Sequence, residues 1–457
     1  MTQRNRNRAL GPAVILLGMT GCTAPMGIAQ MQLAMVDRLD SISSIPAPQA
    51  TAPATEFRPA LRAAVLADPA YIAAKAEETA ALAQIGVAAS LRQPQLVGSL
   101  DLGTTMGDQA ARSGATAGLV LSQIVYDGGA LVAGVNRVTA QALAAREGRI
   151  AAGNDSALAA ATLWITLWHY QARATQMQTR SANMARLVAQ IARMADNGLL
   201  DQAALAQAQR QVIDMRLEEE RLQEAAETAR RDFARRFPAQ AGVLPAPDRL
   251  LDDTAAAALA KNAAKAPIMQ QQVAALFAAE AALAEAEANS GPRARLQLAA
   301  RGPEDRATTP DLSLGLRLDY TLGDGGRAER QLAAATARVA ADQARLDQIK
   351  DGLAEALQAE LSRLSAIDRA LQLSAEKLRL SRAEAEAARA QLQTGGADLR
   401  ELIDAELAIY GAQDQQLALR AEYEILLLAI AARTGGLSTL IALEDAANGT
   451  LTRHISE

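Results

Sequence analysis

One stretch of this sequence occurs twice, and the repeat constrains the fold more than any other feature. Residues 117–129 read AGLVLSQIVYDGG, and residues 314–326 read LGLRLDYTLGDGG. Each copy alternates apolar with small or polar residues, ends in Asp-Gly-Gly, and opens into a long alanine-rich run. Asp127 and Asp324 are separated by 324 minus 127, or 197, positions. The same offset carries Gly198, Asp201, Leu205 and Ala208 onto Gly395, Asp398, Leu402 and Ala405. The register therefore holds without a gap across the whole helical run, and the chain reads as a tandem duplication.

Composition narrows what the repeated unit is. Half of the 457 residues are hydrophobic but only 3% are aromatic. Much of the apolar content is alanine, which lets helices pack closely without filling a thick core. Long stretches rich in Ala, Leu, Glu, Gln and Arg are the mixture expected of long helices and coiled coils. A net charge of −5 with both signs interspersed gives no nucleic-acid surface.

The amino terminus reads as an export signal. Arg4, Arg6 and Arg8 precede a short apolar segment, Ala9 to Met19, too short to span a bilayer. The segment ends Met-Thr-Gly-Cys22, the only cysteine of the chain, and resembles a bacterial lipoprotein signal in which Cys22 is lipidated. Met19 departs from the leucine usual at that position. With one cysteine no disulfide can form within the chain.

From Thr23 to about Thr55 a spacer is expected, ending in a Pro/Ala/Thr linker. A first helix is expected over Pro59–Leu91, stopped by Pro94. Strands follow near Gln95–Thr105 and Ala115–Tyr126, joined by a glycine-bounded loop over Gly107–Gly114. The second half shows the clearest alternation. Leu312, Leu314, Leu316, Leu318, Tyr320 and Leu322 point one way, and Asp311, Ser313, Gly315, Arg317, Asp319 and Thr321 the other. Its partner strand is Arg293–Arg301, with Arg295, Gln297 and Arg301 set against Leu296 and Leu298. The loop is Gly302–Pro310. Such strands have the length of lipid-facing barrel strands, though a half-buried sheet gives the same pattern.

After each Asp-Gly-Gly the runs Gly129–Asn197 and Gly326–Thr394 contain no proline. As helices they reach roughly 100 Å, longer than single globular domains contain. Glycine-containing turns lead to return helices, Asp201 to about Arg236 and Asp398 to about Arg433, with both aspartates at N-cap positions. Another helix is expected over Thr254–Asn289, and a tail, Gly435–Glu457, docked outside the helices.

Four strands per chain cannot close a barrel, for which about eight is the practical minimum, and open edges cannot face lipid. Three chains would supply twelve strands. Together these features resemble the TolC family of outer-membrane efflux proteins, in its lipoprotein branch. The carrying residues are the doubled Asp127-Gly128-Gly129 and Asp324-Gly325-Gly326 junctions and the doubled turn from Gly198 to Ala208 and from Gly395 to Ala405. The resemblance covers about Pro59 to Gly435 and implies a mainly α protein with a small membrane β-barrel. In that architecture a homotrimer forms a twelve-stranded β-barrel in outer-membrane lipid, continued by an α-helical barrel through the periplasm. It further implies passive export of cargo received from an inner-membrane pump through a periplasmic adaptor protein. The organisation expected is a signal peptide (1–21), a lipid-anchored linker (22–58), repeats over 59–250 and 251–436, and a tail (437–457).

By the same resemblance, Glu401 and Asp404 take the positions of a carboxylate ring at the periplasmic constriction. Three residues apart, they share one helix face; a solvated face is the plainer reading. The basic residue that clamps some family members after the turn glycine is replaced by Ala397. Asn197, Gly198, Gly395 and Gly396 are the expected adaptor-docking turns, and Asp127 and Asp324 are helix caps at the strand–helix junctions. Trp164 and Trp168, four apart with His169 beside them, read as a packing stripe. The other histidine, His454, lies in the tail, so no histidine pair suggests a metal site. No phosphate loop, nucleophile elbow or His-Glu-x-x-His motif is present, so neither an enzyme nor a cofactor is expected. The alternative is a periplasmic coiled-coil adaptor or scaffold lipoprotein, which would not need two barrel-length hairpins.

Overall fold

In the computed structural model of the chain the described residues are 28–43, 56–107, 110–196, 202–237, 242–302, 311–394 and 399–443. They fall in two units, divided after Thr51. The first contains one helix, α1 (Ile28–Ser43), inside the stretch expected as a spacer. Its Met31, Leu33, Met35 and Val36 are exposed.

The second unit repeats one order of elements. Its first half runs α2 (Phe57–Leu66), α3 (Pro69–Ser90), β1 (Gln95–Gly107), β2 (Ala110–Tyr126), α4 (Ala130–Asp196) and α5 (Gln202–Arg236). Its second half runs α6 (Asp253–Lys261), one 3-10 turn, α7 (Pro267–Asn289), β3 (Arg293–Arg301), β4 (Asp311–Asp319), α8 (Arg327–Thr394) and α9 (Leu399–Arg433). A short α10 (Gly436–Leu440) ends the described chain. The proline-free runs form helices of 67 and 68 residues, as their composition requires.

Several sequence expectations are corrected. The helix expected over Pro59–Leu91 is two helices, because Pro69 forces Asp68 into an extended conformation (φ −72°, ψ 123°). Asp68 then caps α3, its carboxylate accepting the Ala70 amide at 3.0 Å. Pro267 breaks the helix expected over Thr254–Asn289 in the same way, with Ala266 extended (φ −59°, ψ 139°). In the first hairpin, strand extends through most of the expected loop, and β4 stops at Asp319, before Tyr320 and Leu322.

The last correction concerns the tail. Leu437, Ile441 and Leu443 are buried in the main core rather than laid on the helices' outer surface. Gly435 makes the entry possible. It has φ +81°, and a Cβ there would stand 2.8 Å from the Pro267 ring.

The main core gathers around Trp164 of α4, which is fully buried. Phe57, Phe233 and Phe237 meet its ring edge-on, with centroids 5.6, 5.7 and 5.7 Å away. Trp168 packs against this core half-buried, so the expected packing stripe is present. Polar contacts flank this core along α4. Arg236 pairs with Asp68 and Ser156, and Arg149 donates to Glu78 at 2.6 Å. Below it α8 and α9 form a coiled coil. Leu364, Ile367, Leu371, Ser374, Leu378, Ser381, Ala385 and Ala388 alternate three and four residues apart along the inner side of α8.

Candidate functional site

The two strand–helix junctions have the same geometry. Asp127 accepts the amides of Gly129 at 3.0 Å and Leu131 at 2.7 Å. Asp324 accepts those of Gly326 at 2.9 Å, Arg327 at 3.2 Å and Ala328 at 2.7 Å. These amides, that of Ala328 foremost, hold the Asp324 carboxyl below the usual carboxylate range. Gly128, Gly129, Gly325 and Gly326 all have positive φ, between 66° and 92°, so the chain swings from strand into helix where only glycine is unstrained. The aspartates satisfy the first orphan amides of two very long helices.

Above the junctions the four strands form one antiparallel sheet in the order β1-β2-β3-β4. Register assigns its faces. Leu96, Leu121, Leu298 and Leu314 lie in one cross-strand row, and Gly98, Leu119, Ala300 and Leu312 in the next. Leu296 with Leu316, and Ala294 with Leu318, extend this face. Asp101, Arg293, Arg295, Arg301, Asp311, Arg317 and Asp319 all fall on the other face.

The sheet is inverted relative to a soluble one. Leu312, Leu314, Leu316 and Leu318 are 70%, 71%, 67% and 67% exposed. Val120, Ser122 and Ile124 in β2, and Arg295, Gln297 and Ala299 in β3, are half-buried on the charged face. A water-soluble sheet would hide the leucines and wet the arginines. Outer strands β1 and β4 each leave one edge unpaired, a row of free backbone groups ready for another strand.

At the far end of the helices, Glu401 and Asp404 are both exposed, one turn apart on α9, while Leu402, Ile403 and Ala405 between and beside them are buried. The expected shared face is therefore present. Asn197, Gly198, Gly395 and Gly396, expected as turns, Asp201 and Asp398, expected as caps, and Cys22 lie outside the described residues.

A polar seam that sequence reasoning did not find joins α4 to α8 and α9 above this end. Arg389 pairs with Glu406, and Asn183 donates to the Tyr410 hydroxyl at 2.8 Å. The Arg180 guanidinium lies 5.4 Å over the Tyr410 ring. Arg173 bonds Asp414, at 3.1 Å to its second oxygen. Only Arg389 and Glu406, close in sequence across a turn, could have been paired from the sequence. The α4–α9 partners are more than 200 positions apart. Beside them, burial and then Arg173 push the His169 imidazole below its ordinary pKa. Among the described residues no group of His, Cys, Asp and Glu could hold a metal ion. No helix among them is long and apolar enough to cross a membrane.

No protein-family model matches the sequence, and no curated protein matches it. Solved structures do. CusC, studied for its folding and transmembrane channel formation, superposes with a TM-score of 0.71 at 18% identity, over 87% of this chain and 97% of that one. The outer membrane protein VceC of Vibrio cholerae gives 0.70 at 18% identity, over 82% and 95%. The open MtrE outer membrane channel of Neisseria gonorrhoeae gives 0.68 at 15%, over 84% and 90%. The chain has the fold of these outer-membrane channels.

Proposed function

We propose that three copies of this chain form a TolC-type channel in the bacterial outer membrane, extending into the periplasm. It conducts cargo passively from an adaptor and an inner-membrane pump to the exterior. The observation that carries the reading is the inverted sheet: four strands with an exposed leucine face, a charged face that is half-buried along its two inner strands, and two open edges. Lipid is the solvent that welcomes the leucines, and edge-to-edge closure of three sheets satisfies every backbone group within it. The charged face then lines the lumen.

The helices carry the same message. Near the turns α5 packs on α4, α4 on α9 and α9 on α8, which leaves α5 and α8 as the two flanks. Leu217 lies fifteen residues into α5, and Leu380 fourteen residues before the end of α8. Both are exposed, on the sides turned away from their in-chain partners. Counted the same way, Glu220 falls beside Lys377 and Glu224 within a turn of Arg369. Opposite charges flanking a leucine pair suit α5 of one copy to α8 of the next, a heterologous contact that closes a ring.

On this reading Glu401 and Asp404 give six carboxylates around the periplasmic constriction, and the turns at Asn197–Gly198 and Gly395–Gly396 meet the adaptor. Cys22 carries lipid at the amino terminus. The competing reading, a lipoprotein scaffold held only by its anchor, is separated by one variant. Cys22→Ser protein is expected to stay in the outer membrane through an alkaline carbonate wash and to leave only with detergent. Release by the wash would favour the scaffold.

A further inference from the structure

The charged face of the sheet is not evenly balanced. Its row nearest the loops pairs Arg301 with Asp311, opposite charges directly across the ladder. At the other end, where the strands lead into the helices, Arg295 stands directly opposite Arg317, with Ile124 on the other side of Arg295. Like charges facing each other across a ladder destabilise a sheet. The next row holds Arg293 opposite Asp319, and Asp319 also accepts from Arg317 at 2.9 Å. Among the described residues Asp319 is ion-paired with Arg317, Arg293 donates to Asn289, and no carboxylate pairs with Arg295.

We infer that Arg295 and Arg317 form an anion-binding band in the lumen at the base of the barrel, selecting for cargo that carries carboxylate, phosphate or sulfate groups. The inference rests on the channel reading, since closure by three copies is what turns the charged face inward. Two arginines per chain then become six around the lumen, an excess of positive charge that low-dielectric walls focus onto passing solutes. Guanidinium is suited to the task because its planar fork binds oxyanions with two parallel hydrogen bonds. Lipid phosphates are not the ligand, because both side chains stand on the face opposite the exposed leucines. The band also differs from the tip. Glu401 and Asp404 lie at the opposite end of the helices and carry the opposite charge, so the two stations act on selectivity in opposite directions.

The test uses the full chain reconstituted in planar bilayers under a KCl gradient, with citrate as the anionic probe. Citrate is expected to block the wild-type current. The Arg295→Gln/Arg317→Gln double variant should weaken that block at least about tenfold, the loss of roughly 1.4 kcal/mol of binding. Its reversal potential should shift toward that of potassium. The Arg295→Lys/Arg317→Lys variant keeps the charge and should keep the reversal potential, so a channel that fails to assemble with glutamine does not leave the question open. A wild-type channel that conducts but is indifferent to citrate would overturn the band and leave the channel reading standing. So would an unchanged reversal potential in the glutamine variant. A wild-type protein that gives no conductance at all would remove both.

Discussion

Helices α4 and α8 occupy equivalent places in the two repeats and meet opposite surroundings. Helix α4 packs against α2, α3, α5, α7, α9 and α10 and carries Trp164 at the centre of the core. The position 197 residues on from Trp164 is Leu361, which only borders that core, and the counterpart of Phe57 is Thr254. Helix α8 packs chiefly on α7 and α9, and its Leu373 and Leu380 face outward. Duplication supplied two copies of one plan. Their sequences then specialised: α4 carries the aromatic centre of a core to which both halves contribute, and α8 keeps a leucine-bearing side exposed.

The comparison is broken most directly by paired substitutions at equivalent positions. Trp164→Ala should cost about 3–5 kcal/mol, because four aromatic rings lose their common contact. Leu361→Ala should cost about 1–2 kcal/mol, in proportion to its partial burial. Unfolding midpoints in detergent compare the two, and equal losses would mean that the repeats share the core evenly.

Next in size is the Asp68–Arg236 contact, which has no aspartate counterpart in the second repeat, where Lys265 stands 197 residues on. Arg236 foremost lowers the Asp68 pKa from 3.8 to about 2. A depressed carboxyl contributes stability that is fully present above its unfolded pKa and fades as pH falls toward the folded one. Asp68→Asn keeps the cap on α3 but removes the charge. It should lower stability by about 2 kcal/mol at neutral pH, and the difference should close between about pH 4 and pH 2. A difference that persists undiminished in acid would mean that the charge is not what Asp68 contributes.

The junctions should respond alike, since here the two repeats agree. Asp127→Ala and Asp324→Ala each remove the cap on a long helix and are expected to speed hydrogen exchange of the first-turn amides of α4 and α8. A loss at only one of them would show that the caps are not equivalent. The smallest effect on the isolated chain is expected at the flank. Leu380→Ser should change its stability by no more than about 0.5 kcal/mol, while weakening the oligomer. An inter-chain disulfide in the Leu217→Cys/Leu380→Cys variant, absent from either single variant, locates the contact; its absence in an otherwise intact oligomer would move the seam elsewhere.

Much of this was legible in the sequence because it is local and repeated. Asp-Gly-Gly, the absence of proline from two long runs, and period-two leucines identify junctions, helices and strands from neighbours alone. The break at Pro69 was equally local: a proline at N1 behind an extended Asp68 was there to be read, and the apolar helical pattern on both sides hid it. The burial of Leu437 and Ile441 was not local, because it depends on a Gly435 turn fitted against Pro267. Nor was the opposition of Arg295 and Arg317, since both read as ordinary wet-face residues until the register of β3 and β4 sets them across from each other. The pairing of Tyr410 with Asn183 needs α9 laid beside α4, which no spacing announces.

On the proposed channel reading, the four strands with an inverted face and two open edges are closed by further copies, and mass measures closure most directly. The complex extracted from outer membranes in detergent is expected to contain three chains of 47.9 kDa, roughly 140 kDa of protein as a closed ring requires, and to dissociate on heating. A water-soluble monomer would contradict the account, because its exposed leucines and unpaired strand edges would then face water with nothing to cover them.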